Sequence, residues 1–264
     1  MFLLVSVASP ADAAAALAGE ADLIDAKDPL AGALGAVSLE TLREIQATVA
    51  GARPVTAALG DAAHEEEVER AAREFTAAGA FFVKVGFAGV GSRARAERLA
   101  AAAVRGAGGS GVVAVAYADL VRSGGLTPAA LIDVAARVNA RGLLLDTADK
   151  RGPGLCALQS PLMLARLVAD AHAAGLFVAM AGKLEAGDLP AIRDTGADIA
   201  GVRGAACVGG RSGVTSAERV RQLREAMGAM RPPGRRAAGN SSSLADVRVG
   251  NTDPLPLYQR RRRA

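Results

Sequence analysis

The chain has no tryptophan, and its 264 residues include only two tyrosines and six phenylalanines. A core built from it has to rely on Ala, Val, Leu and Ile, the composition of buried parallel strands alternating with helices. Its two cysteines, Cys156 and Cys207, are too few for a disulfide framework. The two histidines, His64 and His172, fall at helical positions away from strand ends, where a surface or structural role is expected. No grouping of His, Cys, Asp and Glu has metal-ligand spacing, so neither a metal nor another cofactor is expected. No apolar run reaches the ~20 residues needed to span a bilayer, so no membrane role is expected. The opening stretch is apolar, but it lacks a basic start and carries Asp12 and Glu20. It is therefore read as a strand and a helix rather than a signal peptide, and the protein as cytoplasmic.

Acidic charge is scarce in one place only. From Ala229 to the end there are eight Arg and two Asp, a net of +6. The whole chain is +4, so residues 1–228 carry −2. The main body is not basic, which argues against a nucleic-acid partner. The segment 229–264 mixes Pro, Gly, Ser and like charges and is expected to be a disordered tail. Residues 1–228 are expected to form one catalytic domain, within the ~250 residues typical of a barrel.

What is present is a strand-then-helix unit that recurs along the whole body. Apolar strands are predicted over 2–7, 22–27, 54–59, 81–85, 112–117, 142–146, 176–181 and 198–203. Helical patterns lie between and after them, at 11–18, 38–49, 65–78, 93–105, 128–139, 162–173, 189–195 and 216–227. Gly19, Gly79, Gly175 and Gly196 are read as the glycines that stop four of these helices. Eight βα units close most easily into a (β/α)8 barrel. A doubly wound open sheet is the alternative, and the lack of a GxGxxG after the first strand counts against it.

Lysine is the most informative scarcity. Of 31 basic residues only four are Lys: Lys27, Lys84, Lys150 and Lys183. A composition that turns surface lysines into arginine should keep lysine where arginine cannot serve. Arginine stays protonated and forms no imine, whereas a desolvated lysine can lose its proton and attack a carbonyl. All four fall at or just past the C-terminal end of a predicted strand, the face of a barrel that carries active sites. Asp25 shares a strand side with Lys27, and Asp146 stands four residues before Lys150, so each lysine has a carboxylate at hand. Ordinary salt bridges are the plainer reading of both pairs. Glycine-rich loops follow the last two strands, with Gly182 and Lys183 in one and Gly204, Gly209 and Gly210 in the other. They are candidates for holding phosphate through backbone N–H groups, with Arg203 and Arg211 as supporting charges. Tyr117 and Asp119 are placed as pocket-lining residues, and Cys207 as a buried, inert thiol.

The stretches LLVS, LIDAKDPLAGALGA, VKVG, AYAD, LLDTADK and GVRGAACVGG resemble the (5-formylfuran-3-yl)methyl phosphate synthases, also called 4-(hydroxymethyl)-2-furancarboxaldehyde phosphate synthases, of methanofuran biosynthesis. The resemblance covers about residues 1–228. It implies a TIM barrel, a lyase that joins two glyceraldehyde 3-phosphates with loss of phosphate and water, and a place in one-carbon metabolism. It also implies catalytic roles for Asp25, Lys27, Lys84, Asp146 and Lys150, with the imine on Lys27. Lys183 has no counterpart in the pattern and is kept as a phosphate contact. Asp28 and Asp149 depart from the pattern, and Asp149 is expected to act on its neighbour Lys150. The partner implied is a small triose phosphate, and a homo-oligomer is expected. Two other readings remain: a different Schiff-base aldolase acting on a sugar phosphate, and a phosphate-binding barrel without catalysis.

Overall fold

The computed structural model describes residues 1–228, so the expected disordered tail at 229–264 lies outside the described residues. Eight parallel strands form a closed barrel in sequence order: β1 (Phe2–Val7), β2 (Leu23–Ala26), β3 (Val55–Asp61), β4 (Phe82–Gly86), β5 (Gly111–Tyr117), β6 (Gly142–Asp146), β7 (Phe177–Met180) and β8 (Ile199–Val202). The ring closes where Phe2–Val5 of β1 pair with Ile199–Val202 of β8. The open-sheet alternative is thereby set aside.

The outer ring consists of α1 (Pro10–Ala18), α2 (Leu39–Val49), α3 (Glu65–Ala77), α4 (Arg93–Ala107), a single-turn α5 (Leu120–Ser123), α6 (Pro128–Arg137), a single-turn α7 (Leu155–Leu158), α8 (Pro161–Ala173), α9 (Leu189–Asp194) and α10 (Ala217–Ala226). Sequence fixes most of their starts. Ser9, Ser38, Ser92, Thr127, Ser160 and Ser216 each accept a hydrogen bond from a first-turn backbone N–H, and Pro10, Pro128 and Pro161 occupy the first turn, where a missing N–H costs nothing. Gly79, Gly175 and Gly196 adopt the positive φ of a helix stop. Gly19 does not, since its φ is −84°. A Cβ there would lie 2.4 Å from Val220 Cβ on α10, so this glycine serves close helix approach.

Two features went unread in the sequence. The single turns α5 and α7 sit inside the loops after β5 and β6. The loop after β8 folds into an antiparallel hairpin, β9 (Cys207–Val208) with β10 (Val214–Thr215).

The core has two layers. Side chains such as Val5, Ile24, Val83, Leu143 and Val178 point outward and pack under the helices. Leu4, Leu23, Phe82, Val113, Leu144, Phe177 and Ile199 point inward and fill the barrel. A step of two along a strand returns to the same face, and five strands use that step to turn from apolar to polar at the C-terminal end. Leu4 leads to Ser6, Leu23 to Asp25, Phe82 to Lys84, Leu144 to Asp146, and Ile199, by two steps, to Arg203.

Candidate active site

A cavity opens at the C-terminal ends of the strands. Its floor is apolar, with Leu4, Phe82, Val113, Phe177 and Ile199. Its wall carries Ser6, Asp25, Lys27, Lys84, Asp146 and Lys150. Asp25, Lys27, Lys84, Asp146 and Lys150 thus converge from β2, β4 and β6. Lys27 and Lys84 are only 7% and 3% exposed, so neither points into bulk water.

The register of the barrel makes the first cluster. Asp25 is paired across the sheet with Ser6 of β1 on one side and Thr56 of β3 on the other. Ser6 Oγ donates to Asp25 Oδ2 at 2.9 Å, and Thr56 Oγ1 donates to Oδ1 at 2.8 Å. Lys84 forms an ion pair with the same Oδ1. Both oxygens of this fully buried carboxylate are therefore committed. Ser6 and Thr56 were not singled out in the sequence. Polar residues at inward-facing positions of otherwise apolar strands were the available signal.

The second cluster is built differently. Asp146 Oδ1 accepts from its neighbour's N–H at Thr147 (2.8 Å) and from Lys150 Nζ (2.6 Å). Asp146 Oδ2 is buried and has no hydrogen-bond partner among the described residues. Burial raises the carboxyl's pKa, but the ammonium groups of Lys150 and Lys27 outweigh it and hold the group below the ordinary carboxylate value. The turn that brings Lys150 back is held by Asp119, whose two oxygens accept from the N–H groups of Ala148 and Asp149 at 2.7 and 2.8 Å. Asp149 accepts from Arg151 N–H (2.9 Å) and stands 3.9 Å from Arg122, so its carboxylate is engaged outside the cavity, which it does not line.

Lys27 stands beside both clusters. Burial pushes its ammonium down to about 8, the fields of Lys84 and Lys150 push the same way, and Asp146 and Asp25 oppose them. A primary amine so placed is partly neutral near physiological pH, the condition for nucleophilic attack on a carbonyl.

The glycine loops divide. Gly182, Lys183 and Gly204 line the cavity, as do Arg203 and Arg211. Lys183 is exposed, and its Nζ donates to Gly152 O at 2.6 Å, tying the loop after β7 to the loop after β6. Gly209 and Gly210 do not line it. They form the turn between β9 and β10, with φ of 86° and 74°, and backbone geometry accounts for both. Arg203 is bound on every side by protein: Nη1 to Ser6 O, Asp12 Oδ2 and Thr215 Oγ1, Nη2 to Gly213 O, and Nε to Arg211 O. It is a buried strut that joins α1, β1 and the hairpin. Tyr117 and Asp119 also fall outside the cavity lining. Tyr117 donates to Asp61 Oδ1 at 2.8 Å and laces the ends of β5 and β3. His64 precedes α3, and His172 pairs with Asp198 at 2.8 Å, just before β8 at the opposite end of the barrel from the cavity. Burial pushes the Cys207 thiol up, as befits an inert one. Among the described residues no group of three or more His, Cys, Asp or Glu is placed to hold a metal, and no helix is long and apolar enough to cross a membrane.

Comparison with known proteins follows the same lines. The model of the 4-HFC-P synthase family matches residues 3–224. The (5-formylfuran-3-yl)methyl phosphate synthase of Methanopyrus kandleri is 39% identical over 232 residues, 85% of this chain and 98% of that protein. The enzyme of the same name from Methanocaldococcus jannaschii is 36% identical, over 85% and 99%. Among solved structures, a 3-hexulose-6-phosphate synthase superposes with a TM-score of 0.58 at 23% identity, covering 86% of this chain and 99% of that one. Orotidine 5'-phosphate decarboxylase from Pyrococcus horikoshii gives 0.59 at 16%, over 86% and 100%. At those identities the two structures speak to the barrel alone. Sequence match, barrel and site together carry one conclusion: the chain belongs to the 4-HFC-P synthase family.

Proposed function

We propose that the protein condenses two molecules of glyceraldehyde 3-phosphate into (5-formylfuran-3-yl)methyl phosphate through an imine on Lys27, as a step of methanofuran-type cofactor synthesis. The observation that carries this reading is the Lys27 amine, buried among two ammonium groups and two carboxylates and brought to about 8. The family membership supports this reaction, and the cavity holds groups suited to it.

The chemistry balances without an oxidant or reductant. Two triose phosphates contain the atoms of the furan phosphate plus one phosphate and two waters, so every step is an addition, a proton transfer or an elimination. The neutral Lys27 amine attacks the carbonyl of one triose phosphate, and the carbonyl oxygen leaves as water. The resulting imine is an electron sink: a proton leaves C2 and phosphate leaves C3 of that triose. The enol so formed adds through C3 to the central carbon of the second triose phosphate, isomerised to its ketone. A hydroxyl of the second molecule then closes on C2 with loss of two waters to give the furan. Asp146 Oδ2 is a buried carboxylate oxygen in the wall with no hydrogen-bond partner among the described residues, which suits it to take the proton that leaves carbon. Lys150, hydrogen-bonded to Asp146, and Lys84, paired with Asp25, return protons to the departing oxygens. Hydrolysis of the last imine frees Lys27.

Borohydride added during turnover should reduce the imine and place a mass tag on Lys27. A tag confined to another lysine would overturn the assignment. Lys27→Arg keeps the charge but should abolish furan formation, followed as ultraviolet absorbance together with release of inorganic phosphate. Because the free amine must be neutral, kcat/KM should rise as pH passes about 8. A profile flat from pH 6 to 9 would count against an attacking amine.

A further inference from the structure

A reaction that joins two triose phosphates must hold two phosphates in one cavity, and the cations that line it are not equally free to do so. Lys84 is paired with Asp25, and Lys150 with Asp146. Lys27 is reserved for the carbonyl. Arg203 lines the cavity, but its three nitrogens are all spent on protein acceptors. Lys183 sits at the rim beside Gly182, tied to Gly152. Arg211 differs from all of these. Only its Nη2 is engaged, with Pro29 O at 3.2 Å and Gly32 O at 2.6 Å. Its Nε and Nη1 donors have no protein acceptor among the described residues. A guanidinium has five N–H donors in a rigid plane, so more than half of this one is open to an anion.

Its placement is fixed from behind. Arg211 stands on the turn between β9 and β10, and its own carbonyl accepts from Arg203 Nε at 3.1 Å. Its backbone passes 3.6 Å from where a Cβ on Gly204 would lie. From that anchor the side chain reaches across the barrel mouth to the loop after β2, the strand that leads into Lys27. Lys183 follows β7 and is tied to the loop after β6. The two cations therefore occupy neighbouring arcs of the mouth, one leaning toward the Lys27 strand and one away from it. Burial draws the Arg211 pKa down, as expected of a cation kept partly from water with no carboxylate in contact.

We propose that Arg211 is the clamp for one of the two substrate phosphates, separate from the station formed by Gly182 and Lys183. This rests on the reading that two phosphorylated trioses occupy the cavity together. The guanidinium offers charge-assisted donors to a dianion, and its hold on Pro29 and Gly32 ties the loop after β2 to the occupied cavity.

The test uses the full chain and sn-glycerol 3-phosphate, which has the phosphate of the substrate but no carbonyl and cannot form an imine. Calorimetry should find two equivalents bound by the unaltered protein. Arg211→Gln keeps a donor for the carbonyls of Pro29 and Gly32 but removes the charge. It should leave the melting temperature near that of the parent and bind one equivalent, or bind the second on the order of tenfold to a hundredfold more weakly. Arg211→Lys should fall between. With glyceraldehyde 3-phosphate, Arg211→Gln should raise KM by a similar factor and change kcat little. Two equivalents of unchanged affinity in Arg211→Gln would overturn the clamp and leave the proposed reaction standing. So would an unaltered protein that binds one equivalent or none, or a variant that loses kcat at unchanged KM. Loss of one equivalent in Arg211→Gln, with no furan formed by the unaltered protein, would sustain the clamp and sink the reaction.

Discussion

Two acid–amine pairs face each other across the cavity, and they are built to different ends. Asp25 and Lys84 sit on neighbouring inward tiers of β2 and β4, with Thr56 of β3 between them. Asp25 accepts from Ser6, Thr56 and Lys84, so no oxygen is left over. Among the described residues Asp146 accepts only through Oδ1, and its partner Lys150 arrives from a loop held by Asp119. One pair is a fixture of the sheet and the other is half open. A buried carboxylate whose oxygens are all occupied can place a neighbour and shape the field, but it has little room to take a proton from substrate. A buried carboxylate with a bare oxygen costs stability, and a protein that keeps one gains from it elsewhere.

Removing Asp25 should do the most damage. Asp25→Ala leaves the Lys84 ammonium buried without its partner, a loss of about 3–5 kcal/mol, out of about 5–15 kcal/mol for a typical domain. Denaturant unfolding should show the loss, and Asp25→Ala combined with Lys84→Met should recover much of it. Asp146→Asn should behave in the opposite way. An amide in its place still offers Lys150 an oxygen but not the charge, so stability should fall by about 1–3 kcal/mol, less than for Asp25→Ala. Turnover should drop by about a hundredfold to ten-thousandfold, the usual worth of a positioned base. If Asp25→Ala were harmless to stability, or Asp146→Asn harmless to turnover, the contrast between the pairs would fail.

Lys27 adds a third measure. Its amine titrates at about 8 in the folded protein against an ordinary 10.5. Between those values the unfolded chain holds more protons, so stability rises with pH. Below about 8 the cost of burying the ammonium is fully present. At about 1.4 kcal/mol per pH unit, that cost is roughly 3 kcal/mol. Lys27→Met should therefore be inactive yet more stable by up to about that amount at pH 7, and the gain should shrink as pH climbs from 8 toward 10.5. Thermal melts of both proteins across that range would measure it. A gain that grew with pH would contradict the placement of the amine.

Much of this was legible in the chain, and the reasons are local. The strands were readable because each is a short apolar run bounded by turn residues, and the eight runs lie at the eight strands found. The lysines were readable because only four of the 31 basic residues are lysine, and three of the four, Lys27, Lys84 and Lys150, converge on the cavity wall beside Asp25 and Asp146, while the fourth, Lys183, is exposed. What escaped depends on partners far away in sequence. Arg203 looked like a supporting charge for the glycine loops until the fold brought Asp12 to it from 191 residues away. Gly209 and Gly210 looked like a phosphate loop, but the pairing of Val208 with Val214 turned them into a hairpin turn. Ser6 and Thr56 carried no motif, and their meaning depends on the register that sets both beside Asp25.

The smallest effect tests that register most directly. Thr56→Val keeps the shape of the side chain and removes the hydroxyl that donates to Asp25 Oδ1 at 2.8 Å. Hydrogen bonds to charged groups are worth about 1.5–3 kcal/mol, and Lys84 remains on the same oxygen to share the loss, so a cost near the lower end is expected. Thr147→Val is the matching change on the other pair. There the threonine hydroxyl is 3.4 Å from Lys150 Nζ, at the outer limit of a hydrogen bond, and Lys150 keeps Asp146 Oδ1 at 2.6 Å. Its cost should fall below about 1 kcal/mol. Unfolding curves of the two variants, run together, should separate by a measurable shift in midpoint. Equal costs would mean that Asp25 is no more tightly fixed than Asp146, and the division into a carboxylate that positions and one that reacts would lose its structural basis.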